Sequence, residues 1–122
     1  MIPLHTSQLI PLDPANPVHV RAIVEIWNVA CGDDLAITEH FAPHNLRPAP
    51  GMTQRGWLLV DDNWVQAFVL ASFLDGYPPV AAATRGWIDA IAVAPAAQRQ
   101  GHGGRLLAAA EPWLREHGRT RI

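Results

Sequence analysis

The segment from residue 86 to residue 107 constrains the fold of this chain more than any other part of it. Gly86 to Val93 is rich in apolar and β-branched residues, which predicts a strand that ends before Pro95. Gln98 to Gly104 is polar and rich in glycine, which is typical of a tight turn. Arg105 to His117 then spaces its apolar residues as a helix does. The segment therefore predicts a strand, a short loop and a helix in direct succession.

The glycine-rich loop has the chemistry of an anion site. Gly101, Gly103 and Gly104 carry no Cβ atom, so a ligand can approach their backbone closely. The first amides of a helix have no partner within it and lie at the positive end of its dipole. This arrangement binds phosphate or pyrophosphate, and Arg99 and Arg105 are expected to add charge-assisted contacts.

This stretch resembles the acyl-CoA-binding motif of the GNAT acyltransferase superfamily. The family pattern is Gln or Arg, two residues, Gly, one residue, then Gly or Ala, and Gln98, Gly101 and Gly103 meet it here. The preceding strand with Val93 and Pro95 also matches, and so does the order of elements along about the whole chain. The resemblance implies an α/β (α+β) fold, with a mixed, mostly antiparallel sheet flanked by helices on both faces.

Other anion-binding loops fit these residues less well. The dinucleotide fingerprint needs three glycines at a spacing that this loop lacks. The phosphate-loop motif needs a lysine, and all nine basic residues of this chain are arginines. A glycine turn without any ligand, in a plain structural domain, is the remaining alternative.

The resemblance implies acetyl-CoA as the cofactor. Ile91, Ala92 and Val93 would pair through their backbone with the pantetheine arm, as an added strand on an exposed edge. The pyrophosphate would be held by the loop residues Gln98, Arg99, Gln100, Gly101, His102, Gly103 and Gly104. His102 stands where the family usually has an apolar residue, so its side chain is expected to pack under the loop, with donation to a phosphate as the alternative.

The reaction implied is direct transfer of the acyl group to a nucleophile, most often a primary amine of a small molecule or a protein. A neutral amine must attack, so a general base or a water chain is needed. Asp89 is the best candidate because it precedes Ile91 by two residues and shares its face by strand alternation. Its alternative role is a structural acceptor or a charge that contacts substrate. Glu39 and His40 are weaker candidates for the base.

Two features depart from the family pattern. Pro112 lies inside the predicted helix, where it removes a hydrogen bond and is expected to cause a kink. The family fold also continues with a strand-helix-strand part that carries a tyrosine acid, and Tyr77 does not match that tyrosine. We expect residues 1–122 to be a single, incomplete domain of a longer protein, such as a tandem two-domain acyltransferase. Completion by a second copy in a homodimer, or a short form that only binds CoA, are the alternatives.

The remaining elements follow from local patterns. Asn16 predicts the N-cap of a helix that starts at Pro17 and places Val20, Ile23, Trp27 and Ala30 on one face. Further elements are strands over Gln8–Leu12, Arg55–Val60 and Trp64–Phe73, a short helix over Thr38–Asn45, and a strand that begins at Thr120–Ile122.

Composition argues against several other classes of protein. Nine basic and eleven acidic residues give a net charge of −2, which disfavours nucleic-acid binding and an anionic membrane surface. No apolar run approaches the roughly 20 residues of a membrane span, and the first residues do not form a signal peptide. The single cysteine, Cys31, has no partner for an internal disulfide, which favours the cytoplasm. His40 and His44 have no third ligand at metal-site spacing, so no metal is expected.

Two functions from different classes remain open at this point. The first is CoA-dependent N-acyl transfer, with acetyl as the expected acyl group. The second is a non-catalytic CoA-binding or interaction domain. Both predict CoA binding, but only the first predicts release of free thiol in the presence of an amine.

Overall fold

The computed structural model describes residues 7–31, 51–61, 64–74 and 85–122. The strands are β1 (Gln8–Pro11), β2 (Met52–Asp61), β3 (Trp64–Leu74) and β4 (Gly86–Val93). The helices are α1 (Pro17–Cys31) and α2 (His102–Glu116), with a 3₁₀ turn at Pro95–Ala97 between β4 and α2. The bounds of β4 agree with the prediction, whereas β2 is longer and α2 begins earlier than predicted.

The four strands form one sheet in the order β1-β2-β3-β4, and every neighbouring pair is antiparallel. The predicted hairpin of β2 and β3 is present and forms the centre of the sheet. A further, parallel bridge joins Arg85 to Arg121, where the sequence predicted the start of another strand. The described four-stranded sheet is therefore antiparallel, with one isolated parallel bridge beside β4, which agrees with the mostly antiparallel sheet that the resemblance implied.

Helix α1 covers one face of the sheet. Its core comprises Val20, Ile23, Val24 and Ile26 of α1 with Leu58, Phe68, Leu70 and Ala92 of the strands. The predicted face is correct at Val20 and Ile23, and Trp27 is partly buried. Ala30 is exposed, because the buried stripe runs through Val24 and Ile26 instead.

Helix α2 covers the opposite face. Leu106, Ala110, Trp113 and Leu114 pack against a second core that β2 and β3 supply from their other side. The ring of Trp113 meets that of Trp57 edge to face, with centroids 5.6 Å apart. Alternating residues of β2 and β3 thus feed two cores, which gives the sheet a helix on each face as expected.

Local signals define the ends of the helices. The Asn16 side chain accepts from the amide of Val18 at 2.9 Å, which confirms it as the N-cap of α1. Gly118 adopts φ = 77° beyond α2, and the amides of Gly118 and Arg119 donate to carbonyls of the last turn in a Schellman arrangement. Helix α2 continues through Pro112, which lies on its exposed side.

Several predictions fall outside the described residues. These are the helix over Thr38–Asn45, with Glu39, His40 and His44, and most of the loop that holds Tyr77. Within the described ranges, no helix combines the length and the apolar character that a membrane span requires.

The close approach of β4 to α2 at Gly86 predicts a stability effect. A Cβ atom at Gly86 would lie 2.7 Å from Cδ2 of the fully buried Leu114. We expect Gly86→Ala to lower the free energy of unfolding by about 1–3 kcal/mol, measured by chemical denaturation. In a Leu114→Ala background the clashing methyl groups are absent, so Gly86→Ala should cost much less there. An equal cost in both backgrounds would rule out this steric account.

Candidate functional site

The loop after β4 is folded back onto the strand that precedes it. The amide of Gln98 donates to the carbonyl of Pro95 at 3.4 Å, and its side-chain Nε2 donates to the carbonyl of Val93 at 3.2 Å. Ala97 is buried beneath the turn. Gln98, which the sequence assigned to ligand binding, therefore also ties the loop to the end of β4.

Two left-handed residues shape the loop. Arg99 has φ = 67° and is the one non-glycine residue with positive φ in the described ranges. Gly101 has φ = 79° and forms the N-cap of α2 without a side-chain hydrogen bond. Successive amides in such turns point into a common concavity, which favours anions.

The amides of residues 99–104 are free to meet a ligand. No hydrogen bond to another group of the described chain uses them, whereas the next amide, that of Arg105, donates to the carbonyl of Gly101 at 3.2 Å. A Cβ atom built on Gly101, Gly103 or Gly104 meets no atom within 4 Å. The loop is therefore an open cradle of N–H donors at the positive end of α2, which fits a pyrophosphate.

The two arginines of this segment behave differently. Arg105 donates through Nη2 to the carbonyl of Ser7 at 2.7 Å and through Nη1 to the Ser7 hydroxyl. Ser7 is buried and directly precedes β1, so Arg105 holds α2 to the edge of the sheet, contrary to the expected phosphate contact. Arg99 is exposed and has no side-chain partner among the described residues, so it remains available to an anion.

His102 occupies the first position of α2. Its side chain is 7% exposed, so it packs under the loop as the sequence predicted. Its Nδ1 atom is buried and has no hydrogen-bond partner within the described structure. The contribution of His102 to an anion at the loop would therefore come from its backbone amide.

The free edge of β4 lies next to the cradle. The amide of Ala94 donates to the carbonyl of Gln66 at 2.8 Å, and alternation then turns the backbone groups of Ala92 towards β3. The backbone groups of Ile91 and Val93 point to the opposite edge. The expectation that Ala92 would pair with a ligand through its backbone is corrected, because those groups belong to the sheet.

A parallel segment occupies only the beginning of this edge. The amide of Gly86 donates to the carbonyl of Arg121 at 2.7 Å. No strand of the described structure pairs with β4 beside Ile91 and Val93. An extended ligand can therefore add to the sheet there and continue into the cradle.

A β-bulge in β4 places Asp89. Ala90 pairs with Leu70 and Ile88 pairs with Ala71, so Asp89 is an extra residue without a partner on β3. The Asp89 carboxylate is exposed and accepts from the Ser72 hydroxyl at 3.0 Å.

The bulge also decides which face Asp89 occupies. Its hydrogen-bond partners Ser72 and Gln54 belong to the α1 face of the sheet, since Ser72 alternates with Leu70 of the α1 core. Ile91 pairs with Val69, which belongs to the α2 core. The prediction that Asp89 shares a face with Ile91 is therefore wrong, because the extra residue resets the alternation of the strand.

Sequence reasoning missed Ser72 and Gln54 as parts of this site. Ser72 is a polar residue inside an apolar strand, and the hairpin register pairs it with Gln54. That pairing of polar residues was the available signal. Among the described residues no group of His, Cys, Asp and Glu side chains is placed to hold a metal ion.

Comparisons with known proteins identify the family of this chain and the fold that it shares with solved structures. The family model described as Acetyltransferase (GNAT) family matches residues 20–122. No match was found among curated protein sequences.

Solved structures share the fold at low sequence identity. The tandem GNAT protein from the clavulanic acid biosynthesis pathway, without AcCoA, has a TM-score of 0.79 at 21% identity, over 93% of this chain and 34% of that one. A GCN5-related glucosamine N-acetyltransferase region of a fungal multi-domain GH3 β-N-acetylglucosaminidase has a TM-score of 0.78 at 20% identity, over 98% of this chain and 13% of that one. The ribosomal-protein-alanine N-acetyltransferase of Brucella melitensis biovar Abortus 2308 has a TM-score of 0.68 at 17% identity, over 95% and 78%.

This chain thus spans about a third of the tandem protein and a smaller share of the fungal one. The family match covers most of the chain, including the strand, loop and helix of residues 86–116. The chain belongs to the GNAT family of acetyltransferases.

Proposed function

We propose that residues 1–122 form one acyl-CoA-binding domain that transfers an acetyl group from acetyl-CoA to a primary amine by direct transfer. The observation that carries this proposal is that two sets of backbone N–H groups without partners in the described structure follow one another along the chain. The open edge of β4 at Ile91 and Val93 runs directly into the amides of residues 99–104. In acyl-CoA, the pantetheine chain with its amides is likewise followed by the pyrophosphate, so the ligand matches the strand edge and the loop in order.

The residues present fit that cofactor. The carbonyl of Ile91 and the amide of Val93 would pair with the pantetheine amides, since the Val93 carbonyl already accepts from Gln98. The cradle would hold the pyrophosphate with Arg99 beside it. The glycines leave the space at the cradle open, as a bulky diphosphate requires. Gln98 would stabilise the loop and would not contact the pyrophosphate through its side chain, because that side chain already donates to the Val93 carbonyl.

Bound acetyl-CoA supplies an activated acyl thioester. In the proposed reaction, the free N–H group of Ile91 on the β4 edge polarises the acyl carbonyl and stabilises its negative charge. Asp89 accepts the proton that the amine loses, directly or through one water, as the new carbon–nitrogen bond forms. The carbon–sulfur bond breaks, and the sulfur leaves as a thiolate that solvent protonates.

The amine itself is proposed only by class. The names of two kinds of structurally similar protein specify an amine acceptor. One is an aminoglycoside acetyltransferase, and the other is a ribosomal-protein-alanine N-acetyltransferase. An amino sugar and a peptide with an N-terminal alanine are therefore suitable first acceptors for assay. Acetyl-CoA binding without thiol release with any amine would favour the alternative, a CoA-binding domain that is not itself catalytic.

The cradle predicts a charge-sensitive binding site. Gly103→Glu places a carboxylate where the pyrophosphate is expected, so we expect the Kd for acetyl-CoA to rise about ten-fold or more in calorimetric titration. Ala108→Glu is the matched control, since it adds the same charge at an exposed position of α2 further from the loop. Equal affinities of Gly103→Glu and Ala108→Glu would remove the loop as the pyrophosphate site.

The proposed base predicts a loss of turnover without a loss of cofactor binding. We expect Asp89→Asn to slow thiol release about 10²- to 10⁴-fold, with an unchanged Kd for acetyl-CoA. The pH–rate profile should change shape, because the side chain that accepts the proton from the amine is gone. A variant profile with the same shape as the parent profile would show that another group is the base.

A further inference from the structure

We propose that Ser72 of β3 and Gln54 of β2 are positioning residues, which hold the Asp89 carboxylate in one orientation for proton transfer. This inference rests on the proposed role of Asp89 as the base. Neither residue is expected to touch the acyl group or the amine. Both act through Asp89.

Ser72 carries the strongest evidence. It is 3% exposed and lies between Ala71 and Phe73, which both belong to the α2 core on the other face. A buried hydroxyl without a partner is costly, and the Ser72 hydroxyl satisfies its need by donating to Oδ1 of Asp89 at 3.0 Å. A polar side chain at this position of an apolar strand is thus explained by its bond to Asp89.

Gln54 contacts the second carboxylate oxygen. Its Cα partner on β3 is Ser72, so the two side chains stand next to each other on the α1 face. The Gln54 Nε2 group donates to Oδ2 of Asp89 at 3.5 Å. Donors on both oxygens restrict rotation of the carboxylate more than one donor would.

The orientation of the Gln54 amide supports the same conclusion. Its Oε1 atom is buried and has no hydrogen-bond partner in the described structure. Turning the amide over would bring Oε1 against the Asp89 carboxylate, where two acceptors repel each other. The nitrogen therefore faces Asp89, although this leaves Oε1 unsatisfied.

The bulge of β4 completes the arrangement. Asp89 has no partner residue on β3, so its backbone position is released from the regular ladder. Its side chain then lies on the α1 face beside Ser72, and two neighbouring strands supply the donors. The carboxylate is held by side chains of a rigid sheet and still remains exposed to an incoming amine.

The first experiment measures this positioning without any need for activity. NMR three-bond couplings of Asp89 report its χ1 rotamer in the full 122-residue chain. We expect one rotamer in the parent protein and averaged couplings in Ser72→Ala and in Gln54→Met. Ser7→Ala is the matched control, because it removes a buried hydroxyl that bonds Arg105 instead of Asp89. Unaveraged Asp89 couplings in both test variants would overturn the proposal.

The second experiment measures the kinetic consequence. With acetyl-CoA and glucosamine or an N-terminal alanine peptide, we expect Ser72→Ala to lower kcat about ten-fold and to leave the KM for acetyl-CoA unchanged. Ser72→Thr keeps the hydroxyl and should restore most of kcat. In an Asp89→Asn background, Ser72→Ala should have no further effect, because the residue acts through Asp89.

The outcomes separate this proposal from the proposed function. A ten-fold loss of kcat from Ser72→Ala that persists in the Asp89→Asn background would overturn positioning through Asp89. Absence of thiol release by the parent protein would refute the transferase activity, and the NMR couplings would still decide whether Ser72 and Gln54 hold the carboxylate. Gln54→Met covers the case in which Ser72→Ala fails to fold, since Gln54 is only partly buried.

Discussion

Among the described residues, strand β4 pairs with β3 on one edge from Gly86 to Val93, apart from the bulge at Asp89, and meets a parallel segment only at the beginning of its other edge. The candidate site depends on this difference. The strand's pairing with β3 fixes the register that turns the backbone of Ile91 and Val93 outward. Its apolar side chains join the core on each face, with Ala92 on the α1 side and Val93 on the α2 side. A strand that is anchored by its faces and one edge can leave the other edge unpaired without losing its position.

The bulge in β4 also determines where the Asp89 side chain lies. In a regular strand, Ile88 and Ala90 would share a face, but here Ile88 packs on the α2 side and Ala90 on the α1 side. The extra residue, Asp89, joins the α1 face together with Ser72. Because of the bulge, β4 presents the Asp89 carboxylate on the α1 face of the sheet and the backbone groups of Ile91 and Val93 at its edge.

The sequence predicted the elements whose signals are local. The bounds of β4 follow from an apolar run between Gly86 and Pro95, and Asn16 marks the start of α1 through a contact two residues away. Helix α2 was predicted to start at Arg105 because residues 98–104 have the polar, glycine-rich composition of a turn, yet Gly101 acts as its N-cap and the helix begins at His102.

Features that depend on distant residues were not predictable in this way. The bulge at Asp89 arises from pairing with Leu70 and Ala71, and no alternation within β4 reveals it. The bond of Arg105 to Ser7 joins residues 98 positions apart, so the local motif suggested a phosphate contact instead. Predicting that Gln54 and Ser72 are neighbours requires the register of the hairpin, whereas the sequence predicted only that the hairpin forms.

The bond between Arg105 and Ser7 has a consequence for ligand affinity. It ties the first turn of α2 to the strand at the far edge of the sheet, while Gln98 ties the other end of the loop to β4. The cradle is therefore held at both ends before any ligand arrives. An anion that enters it meets amides that are already oriented, so less of the binding free energy is lost to ordering the chain.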